Sequence, residues 1–501
     1  MAGLFRGGGI CAVVVGRTAA EMRRGLRLAL RGALTVELRL DWLRGDAEIE
    51  RMIRWIAANR RKLQVGPRVS LIVTCRRVPA GGKFRGSVAR EVEILRAAAA
   101  AGCGWVDLEI ESAEKISREE FRGLRRGARV LLSFHDFRRT PADLRRVTRR
   151  LARVGADAIK IAAQCRGLRD AIRVLGTARA GRRVVAVPMG DTAAAARILS
   201  LRAGSALAYA PVGEATAPGQ ISLEEMTSLY RAERLTRRTR VYAVIGDPIG
   251  HSLSPQMQNA GFRARGMDAV YVPVLVRDLR DFISAIGPLG ISGFSVTLPH
   301  KEAILRHLDD CDPLAAEIGA VNTVVVRGGG KLYGYNTDYV GVLRALERRL
   351  PLAGSSVLVL GAGGSARAVA FALARAGANI RICARRIQKA RALAQAVGGE
   401  AIERRRLRSE FFDAIVNTTP VGMFPGVGQS PLESRELNCR LVFDLIYRPA
   451  ETRLLRLAAR RGIETVSGLQ MFVVQGMAQW EIWTGERAPV REMAEAVAHL
   501  A

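Results

Sequence analysis

The chain has 501 residues, of which 49% are hydrophobic, and its formal net charge is +31. This length exceeds what one hydrophobic core supports, so we expect two to four domains. The sequence contains no apolar run long enough to span a bilayer, and its first residues do not have the form of a signal peptide, so no membrane segment is expected.

The distribution of the arginines and the spacing of the cysteines limit the classes of protein to which the sequence can belong. The arginines are spread as pairs over the whole chain, which is more typical of solvated helix faces and of attraction for anionic substrates than of a nucleic-acid-binding arm. The seven cysteines are dispersed, without a CxxC pair or a cysteine–histidine cluster. We therefore expect reduced thiols, a cytoplasmic location, no metal site and small-molecule partners rather than nucleic acid or a membrane. A basic nucleic-acid-binding protein built on a barrel is the alternative from another class.

From residue 10 to about residue 212, short apolar runs alternate with helical segments. The runs are "ICAVVVG", "LTVELRL", "VSLIVTC", "WVDLEIE", "RVLLSFH", "DAIKIAA", "RVVAVPMG" and "SALAYAP". Eight strand–helix units in this length predict a (β/α)8 barrel. In such barrels the chemistry lies at the carboxyl ends of the strands, and polar residues stand there in this sequence.

Two of these polar residues indicate covalent chemistry. Lys160 lies inside the apolar strand "GADAIKIAAQC", where an ammonium group is costly unless it is paired or neutralised. Desolvation and nearby cations would lower the lysine pKa, and the free amine can form a Schiff base with a ketone. His135, in "SFHDF" one strand earlier, would lie beside Lys160 and could move a proton. A snorkelling or ion-paired lysine and a structural histidine are the alternatives.

Further along the chain, the charged segment 231–240 lacks apolar periodicity and predicts a linker. Beyond it, α/β patterns carry the polar loops "GHSLSP", "SVTLPHK", "GAVNTV" and "GYNTDYVG". The stretch "SSVLVLGAGGSA" then predicts a strand, a glycine-rich turn and a helix start that bind a dinucleotide. The next strand ends with Arg385 and Arg386, which suit the 2′-phosphate of NADP, whereas an acidic residue there would favour NAD. Two ordinary surface arginines are the alternative.

Residues 10–235 resemble type I 3-dehydroquinate dehydratases in the order and spacing of "VELRLD", "TCRR" with a following "GG", "SFHDF", "ADAIKIA", the "MG" before Arg197, and "ATAPGQ". The resemblance implies that Lys160 forms an imine with 3-dehydroquinate, and that His135 removes a proton and later protonates the departing hydroxyl. It implies these substrate-binding residues: Glu37, Arg39, Arg76, Arg197, Thr216 and Gln220. Arg197 is the expected carboxylate partner. Ala80 stands where the family usually has Glu, which affects the expected rate rather than the reaction type.

The loops from residue 250 onward resemble those of shikimate dehydrogenases, to about residue 485. The resemblance implies that Lys301 and Asp338 are the catalytic pair, which would otherwise be read as a surface ion pair. The implied substrate-binding residues are Ser252, Ser254, Thr297, Asn322, Tyr447 and Gln475. The two serines are implied to bind the substrate carboxylate. The implied cofactor-binding residues are Gly361, Ala362, Gly363, Gly364, Ser365, Ala366, Arg385, Arg386, Thr418 and Gly468. Ser295 stands where many members have Asn.

The expected architecture is a (β/α)8 barrel followed by a two-domain α/β dehydrogenase with a Rossmann-type NADP domain. The expected domains are the barrel at 1–235, a substrate domain at 241–340, the NADP domain at 341–465, and C-terminal helices at 466–501 that return to the substrate domain. Because the dehydratase product is the dehydrogenase substrate, we expect a bifunctional enzyme that converts 3-dehydroquinate to shikimate with NADPH. The alternative is a catabolic quinate/shikimate dehydrogenase that uses NAD and has a weakened dehydratase half.

Overall fold

The structure is a computed structural model, and it describes residues 5, 9–61, 69–181, 183–213 and 219–500. The chain divides into two compact units. One comprises Met1–Thr239 and Arg280–Leu289, and the other comprises Arg240–Leu279 and Gly290–Ala501. Among the described residues, no helix is long and apolar enough to cross a membrane.

The first unit contains an eight-stranded parallel sheet in the order β7-β6-β5-β4-β3-β2-β1-β8. The predicted barrel is confirmed, and each of the eight apolar runs forms one strand. The sheet is nearly closed, because the Ala206 backbone N–H, just before the last strand, donates to the Val184 carbonyl at 2.8 Å. The strands are β1 (Ile10–Val14), β2 (Thr35–Arg39), β3 (Ser70–Thr74), β4 (Trp105–Glu109), β5 (Arg129–Asp136), β6 (Ala158–Gln164), β7 (Val184–Met189) and β8 (Ala208–Pro211).

Helices connect these strands. They are α1 (Ala19–Ala29), α2 (Asp46–Ala58), α3 (Val88–Ala100), α4 (Ile110–Ala113), α5 (Arg118–Gly127), α6 (Leu144–Val154), α7 (Leu168–Gly176) and α8 (Ala194–Ile198). Polar side chains cap the N-termini of several of these helices. Ser117, for example, forms a capping box with Glu120 at the start of α5.

The strands place apolar and polar residues at successive levels of the barrel. Ile72, Trp105, Leu131 and Ala158 belong to one buried apolar cluster. Since alternate residues of a strand share a face, the residues two positions further along point the same way. These are Thr74, Asp107, Ser133 and Lys160, all buried. The apolar cluster thus lies next to a polar level that is nearer the carboxyl ends of the strands.

The predicted linker at 231–240 is partly regular. It contains a 3-10 helix, Ala232–Arg234, in which Ala232 is buried. The Glu233 carboxylate accepts a 2.9 Å hydrogen bond from the Ile10 backbone N–H at the start of β1. The segment therefore packs against the barrel, since the Glu233 carboxylate binds the first residue of β1. The next strand begins at Arg240.

The second unit has a mixed six-stranded sheet in the order β10-β9-β11-β13-β14-β12, with β13 antiparallel to both of its neighbours. The strands are β9 (Arg240–Gly246), β10 (Ala269–Leu275), β11 (Ile291–Val296), β12 (Asp310–Cys311), β13 (Thr323–Val326) and β14 (Leu332–Tyr335). The helices along this part of the chain are α9 (Ser254–Ala264), α10 (Leu279–Leu289) and α11 (Pro313–Ile318).

A second, all-parallel sheet follows in the order β17-β16-β15-β18-β19-β20, which is the Rossmann order. The predicted Rossmann-type fold is confirmed. Its strands are β15 (Ser356–Leu360), β16 (Asn379–Cys383), β17 (Glu400–Ala401), β18 (Phe412–Asn417), β19 (Cys439–Asp444) and β20 (Glu464–Ser467). The helices are α12 (Asp338–Leu346), α13 (Gly364–Arg375), α14 (Ile387–Ala396), α15 (Arg453–Ala459), α16 (Gly468–Thr484) and α17 (Val490–Ala498).

The two C-terminal helices pack with the mixed sheet. Trp480 on α16 and Met493 on α17 share one buried cluster with Met257 and Phe262 on α9. Gln258 on α9 donates to the Gly476 carbonyl at 2.8 Å, and Gln479 donates to the Asn322 carbonyl at 3.2 Å, so α16 lies beside α9 and the start of β13.

Candidate active sites

In the barrel, Lys160 is a buried cation held by carboxylates. The residue is 3% exposed, its ammonium group contacts the Asp107 carboxylate, and Nζ lies 4.0 Å from Glu37 Oε2. The sequence left an ion-paired lysine open as the alternative, and the structure contains this ion pair because an inward-facing aspartate of β4 reaches the level of Lys160. Burial opposes the charge of Asp107, yet Lys160 and Arg76 hold the pKa of this carboxyl below its usual range.

His135 lies on β5, the neighbour of the Lys160 strand. In the β5–β6 register, Lys160 pairs with Ser133 and His135 pairs with Ala162, so His135 stands two residues nearer the carboxyl ends of the strands. Burial lowers the pKa of His135 well below its usual value, and the charges of Arg76 and Lys160 lower it further. Its Nδ1 atom is buried and has no hydrogen-bond partner in the described part of the chain. A neutral imidazole of this kind can accept a proton.

The three predicted arginines of the barrel differ in their partners. Arg39 binds both carboxylate oxygens of Asp41, at 2.9 and 2.8 Å. Arg76 donates to Glu109 at 2.8 Å and to Asp107 at 3.1 Å.

The Arg197 side chain binds a backbone carbonyl and no carboxylate among the described residues. Its Nε donates to the Pro188 carbonyl at 2.8 Å, and no described carboxylate pairs with it. Burial lowers the pKa of Arg197 to about 10. A buried guanidinium without an anionic partner suits a substrate carboxylate, so the geometry favours Arg197 over Arg76 for that role.

The remaining predicted barrel residues are distributed as follows. Glu37 is buried and accepts a 2.5 Å hydrogen bond from Thr74 Oγ1. Gln220 follows Gly219, whose position allows no side chain, since a Cβ there would lie 2.2 Å from the Gly190 carbonyl oxygen. The loop with Gln220 therefore rests on the "MG" turn. Thr216 lies outside the described residues. Ala80 ends a short 3-10 helix, Val78–Ala80.

Sequence reasoning did not select two residues that contact Lys160. One is Asp107, and the other is Tyr209, whose hydroxyl lies 3.5 Å from Lys160 Nζ. Asp107 stands two positions before Glu109 in "WVDLEIE", so the rule that alternate residues share a strand face could have found it. Nothing in the sequence indicated Tyr209, because its contact depends on the register of β8.

In the second unit, the structure brings the predicted pair Lys301 and Asp338 together at 2.6 Å. Asp338 begins α12, and its other carboxylate oxygen accepts a 2.9 Å hydrogen bond from Asn322. Lys301 also donates to Ser365 Oγ at 3.0 Å. Gln475 Oε1 lies 3.5 Å from Asn322 Nδ2. Four predicted residues thus form one hydrogen-bonded group with Ser365 of the glycine-rich turn.

The predicted carboxylate-binding serines lie at the start of α9. The Ser254 backbone N–H donates to Ser252 Oγ at 3.3 Å, and Tyr447 hydrogen-bonds with Ser252. Tyr271 hydrogen-bonds with Ser254 and donates to Ser295 Oγ at 2.6 Å.

Ser295 and Thr297, two further residues considered in the sequence, lie at the C-terminal end of β11. Ser295 Oγ donates to Gln479 at 2.7 Å, so the residue that replaces the family Asn is held inside the protein. Thr297 follows β11, and its backbone N–H donates to the Ile245 carbonyl at 3.0 Å.

The glycine-rich turn fits a dinucleotide. Gly361 has φ +115°, and a Cβ there would lie 2.5 Å from Thr418 Oγ1, so only glycine suits this position. The turn leads through Ala362 and Gly363 into α13, which begins at Gly364 and includes Ser365 and Ala366. Its N-terminal N–H groups can receive a pyrophosphate.

Three further predicted cofactor residues lie on other elements of the Rossmann-type fold. Arg385 and Arg386 follow β16 and are exposed, without a carboxylate partner among the described residues, and they can receive a 2′-phosphate. Gly468 begins α16, where a Cβ would lie 2.1 Å from the Leu445 carbonyl oxygen.

Comparison with known proteins follows this division of the chain. The family model for type I 3-dehydroquinase matches residues 10–236, and that for the shikimate dehydrogenase substrate-binding domain matches residues 244–324. The shikimate/quinate 5-dehydrogenase model matches residues 344–418, and the shikimate 5′-dehydrogenase C-terminal model matches residues 468–498.

A relative from Arabidopsis thaliana, the chloroplastic bifunctional 3-dehydroquinate dehydratase/shikimate dehydrogenase, is 36% identical over 483 residues, 91% of this chain and 79% of its own length. The chain belongs to this bifunctional family. The predicted family is therefore confirmed for both halves.

Two further similarities cover the dehydrogenase half. The NADP(+) shikimate dehydrogenase of Methanothermobacter thermautotrophicus is 44% identical over 278 residues, 52% of this chain and 97% of its own length. A crystal structure of shikimate 5-dehydrogenase from Thermus thermophilus with NADP(H) and shikimate has a TM-score of 0.48 and 38% identity, covering 52% of this chain and 99% of that chain.

Proposed function

We propose that the enzyme dehydrates 3-dehydroquinate in its barrel and reduces the product, 3-dehydroshikimate, to shikimate with NADPH in its second unit. The observation that carries the proposal is that the chain holds two separate groups of the expected composition. Lys160, Asp107 and His135 share the carboxyl half of the barrel, while Lys301 contacts both Asp338 and Ser365 of the glycine-rich turn.

The barrel residues support an imine mechanism. Arg197 binds the substrate carboxylate, and the Lys160 ammonium first gives a proton to the imidazole of His135. The free amine then attacks the ketone carbon, whose oxygen takes that proton and one amine proton and leaves as water. The resulting iminium is stabilised by the Asp107 carboxylate. His135 takes a proton from the adjacent carbon, and the enamine then forms. His135 returns the proton to the leaving hydroxyl, which departs as a second water, and hydrolysis frees Lys160.

The second site supports reduction of a ketone. When bound, NADPH supplies the hydride for the carbonyl carbon. Lys301 donates a hydrogen bond to the carbonyl oxygen and passes a proton to it as the alcohol forms, and Asp338 fixes the ammonium group in place. Asn322 in turn fixes Asp338, and Ser252 and Ser254 bind the substrate carboxylate.

We propose NADP rather than NAD because two exposed arginines, Arg385 and Arg386, follow β16 where the ribose is bound in this fold. No observation favours the catabolic quinate alternative. We also propose the domain ranges 1–235, 241–340, 341–465 and 466–501. The four family matches begin in these ranges in the same order, although the third ends at residue 418.

We further propose a cytoplasmic location. All seven cysteines are free thiols, which fits a reducing compartment. The plant relative is chloroplastic. Cell fractionation tests this assignment, and recovery of the enzyme outside the cytoplasmic fraction would refute it.

A coupled assay tests the main proposal. The purified enzyme with 3-dehydroquinate and NADPH should consume NADPH and release shikimate. NADPH consumption with 3-dehydroshikimate but not with 3-dehydroquinate would refute the dehydratase half. Faster oxidation of quinate with NAD than of shikimate with NADP would support the catabolic alternative, and salt-sensitive DNA binding tighter than substrate binding would support the nucleic-acid alternative.

A further inference from the structure

A pair of buried carboxyl groups lies behind the dehydratase site. Glu91, on α3, is 0% exposed, and Glu109, at the end of β4, is 1% exposed. Glu91 Oε2 accepts a 2.6 Å hydrogen bond from Ser112 Oγ, and Glu109 Oε1 accepts a 2.8 Å hydrogen bond from Arg76 Nε. The remaining oxygens, Glu91 Oε1 and Glu109 Oε2, are both buried without a partner among the described residues, and the two carboxyl groups are close enough to influence each other's pKa.

Two neighbouring buried carboxyl groups can bind each other only if they share a proton. Glu91 Oε1 and Glu109 Oε2 are both buried and have no N–H or O–H donor among the described residues. Two ionised carboxylates cannot donate to each other, and in a buried site they repel. One proton must therefore lie between the two groups.

The surroundings assign this proton to Glu91. The other oxygen of Glu109 binds a guanidinium, which favours the charged form of Glu109, whereas the other oxygen of Glu91 receives only a neutral hydroxyl. Burial raises the pKa of Glu91 to about 9, and its hydrogen bond with Glu109 contributes to this rise. Glu91 is therefore a neutral acid at pH 7.

We propose that Glu91 is a positioning residue of the dehydratase. Its protonated carboxyl group donates a hydrogen bond to Glu109 and thereby fixes Arg76 against Asp107, the partner of Lys160. The inference rests on the proposed dehydratase function. Arg76 binds Glu109 through Nε and Asp107 through Nη2, so a shift of Glu109 reaches the carboxylate that contacts Lys160.

The other charged groups around Glu91 do not replace this proton. Arg77, after β3, lowers the pKa of Glu91, but only as a smaller effect than burial. The buried thiol of Cys75 is neutral at pH 7, because burial raises its pKa. Neighbouring Arg90 is engaged on the outer side of α3, with Glu93 at 2.8 Å and with Asp46 on α2 at 2.8 Å.

The test uses the full-length enzyme and the variant Glu91→Gln, whose amide can donate to Glu109 as the acid does. In the wild type, kcat/KM for dehydration should fall as the pH rises through about 9, because Glu91 loses its proton. The Gln variant should keep its rate at pH 7 and lose this alkaline fall. Glu93→Gln, on the same helix at an exposed site, is the matched control and should keep the wild-type profile.

Glu91→Ala removes the donor and should lower kcat at pH 7 about tenfold, the order expected for a lost hydrogen bond to a charged group. KM should change little, since Arg197 binds the substrate. Reduction of 3-dehydroshikimate by the same samples reports whether each variant is folded. Infrared spectra supply a readout independent of activity, because the band of a protonated carboxyl group should be present in the wild type and weaker in Glu91→Gln.

An unchanged alkaline fall in Glu91→Gln, or an unchanged carboxyl band, would overturn the inference while leaving the dehydratase function intact. A wild type that reduces 3-dehydroshikimate but never dehydrates 3-dehydroquinate would overturn the proposed function itself, and with it the role assigned to Glu91.

Discussion

Lys301 Nζ lies 2.6 Å from Asp338 Oδ2, and the second oxygen of the same carboxylate is held by Asn322 at 2.9 Å. The lysine ammonium is thus fixed by a carboxylate that cannot rotate freely. This arrangement matches the demand of ketone reduction, in which a proton donor must stay in place while the hydride arrives.

We expect Asp338→Asn to lower kcat for reduction of 3-dehydroshikimate by about 10²- to 10⁴-fold, the range that a positioned proton-transfer group contributes. Steady-state kinetics of NADPH oxidation measure the change. Dehydration of 3-dehydroquinate by the same sample is the control, because no residue of the barrel site is altered. Loss of both activities would contradict the prediction, since it would indicate general misfolding.

Lys160→Ala should abolish dehydration and leave the reduction of added 3-dehydroshikimate near the wild-type rate. Borohydride reduction in the presence of 3-dehydroquinate should attach ligand to Lys160 in the wild type, as peptide mass spectrometry can show. Asp107→Asn should still be labelled but should dehydrate more slowly, because the ammonium and the iminium lose a buried anionic partner. Label on a different residue would refute the covalent role of Lys160.

The pH profile of dehydration should reflect the environment of His135. Its pKa in the folded enzyme is lowered well below that of free imidazole, so the imidazole stays neutral, and able to accept a proton, as the pH falls below about 6.5. We therefore expect the acidic fall of kcat/KM for 3-dehydroquinate to lie below that pH. A fall centred at or above the free imidazole pKa would contradict this assignment.

Replacing Arg385 and Arg386 together with Ala should raise KM for NADPH about 10- to 150-fold more than KM for NADH, since a hydrogen bond to a charged group contributes about 1.5–3 kcal/mol. Lys389→Ala together with Arg391→Ala, at exposed positions of the adjacent α14, is the matched control for the loss of two positive charges. Equal changes for both cofactors would show that these arginines do not bind the 2′-phosphate.

Arg197→Gln should raise KM for 3-dehydroquinate by about 10- to 150-fold for the same reason of lost charge-assisted binding. Initial rates over a range of substrate concentrations measure this change. Arg166→Gln, an exposed site just after β6, tests whether any positive charge at this end of the barrel has the same effect. A similar rise in both variants would indicate general electrostatic attraction instead of a specific contact.

Much of this structure followed from local sequence. The eight barrel strands were recognisable as apolar runs. The turn was recognisable by its glycines, because the conformation at Gly361, with φ +115°, suits only glycine. The partners of the charged groups were not predictable in the same way. Arg76 meets Glu109, and Glu109 meets Glu91 on a helix, through the register of β3 with β4 and the packing of α3. Such contacts depend on tertiary geometry that no residue spacing encodes.

The contact between the glycine-rich turn and Lys301 has a consequence for enzyme engineering. A Cβ at Gly364 would lie 2.6 Å from Lys301 Cβ, and Ser365 Oγ accepts a hydrogen bond from the lysine ammonium. A turn grafted from another dehydrogenase to change the cofactor would therefore displace the catalytic lysine unless it kept glycine at position 364. Cofactor exchange in this scaffold is better attempted at Arg385 and Arg386, which lie outside this contact.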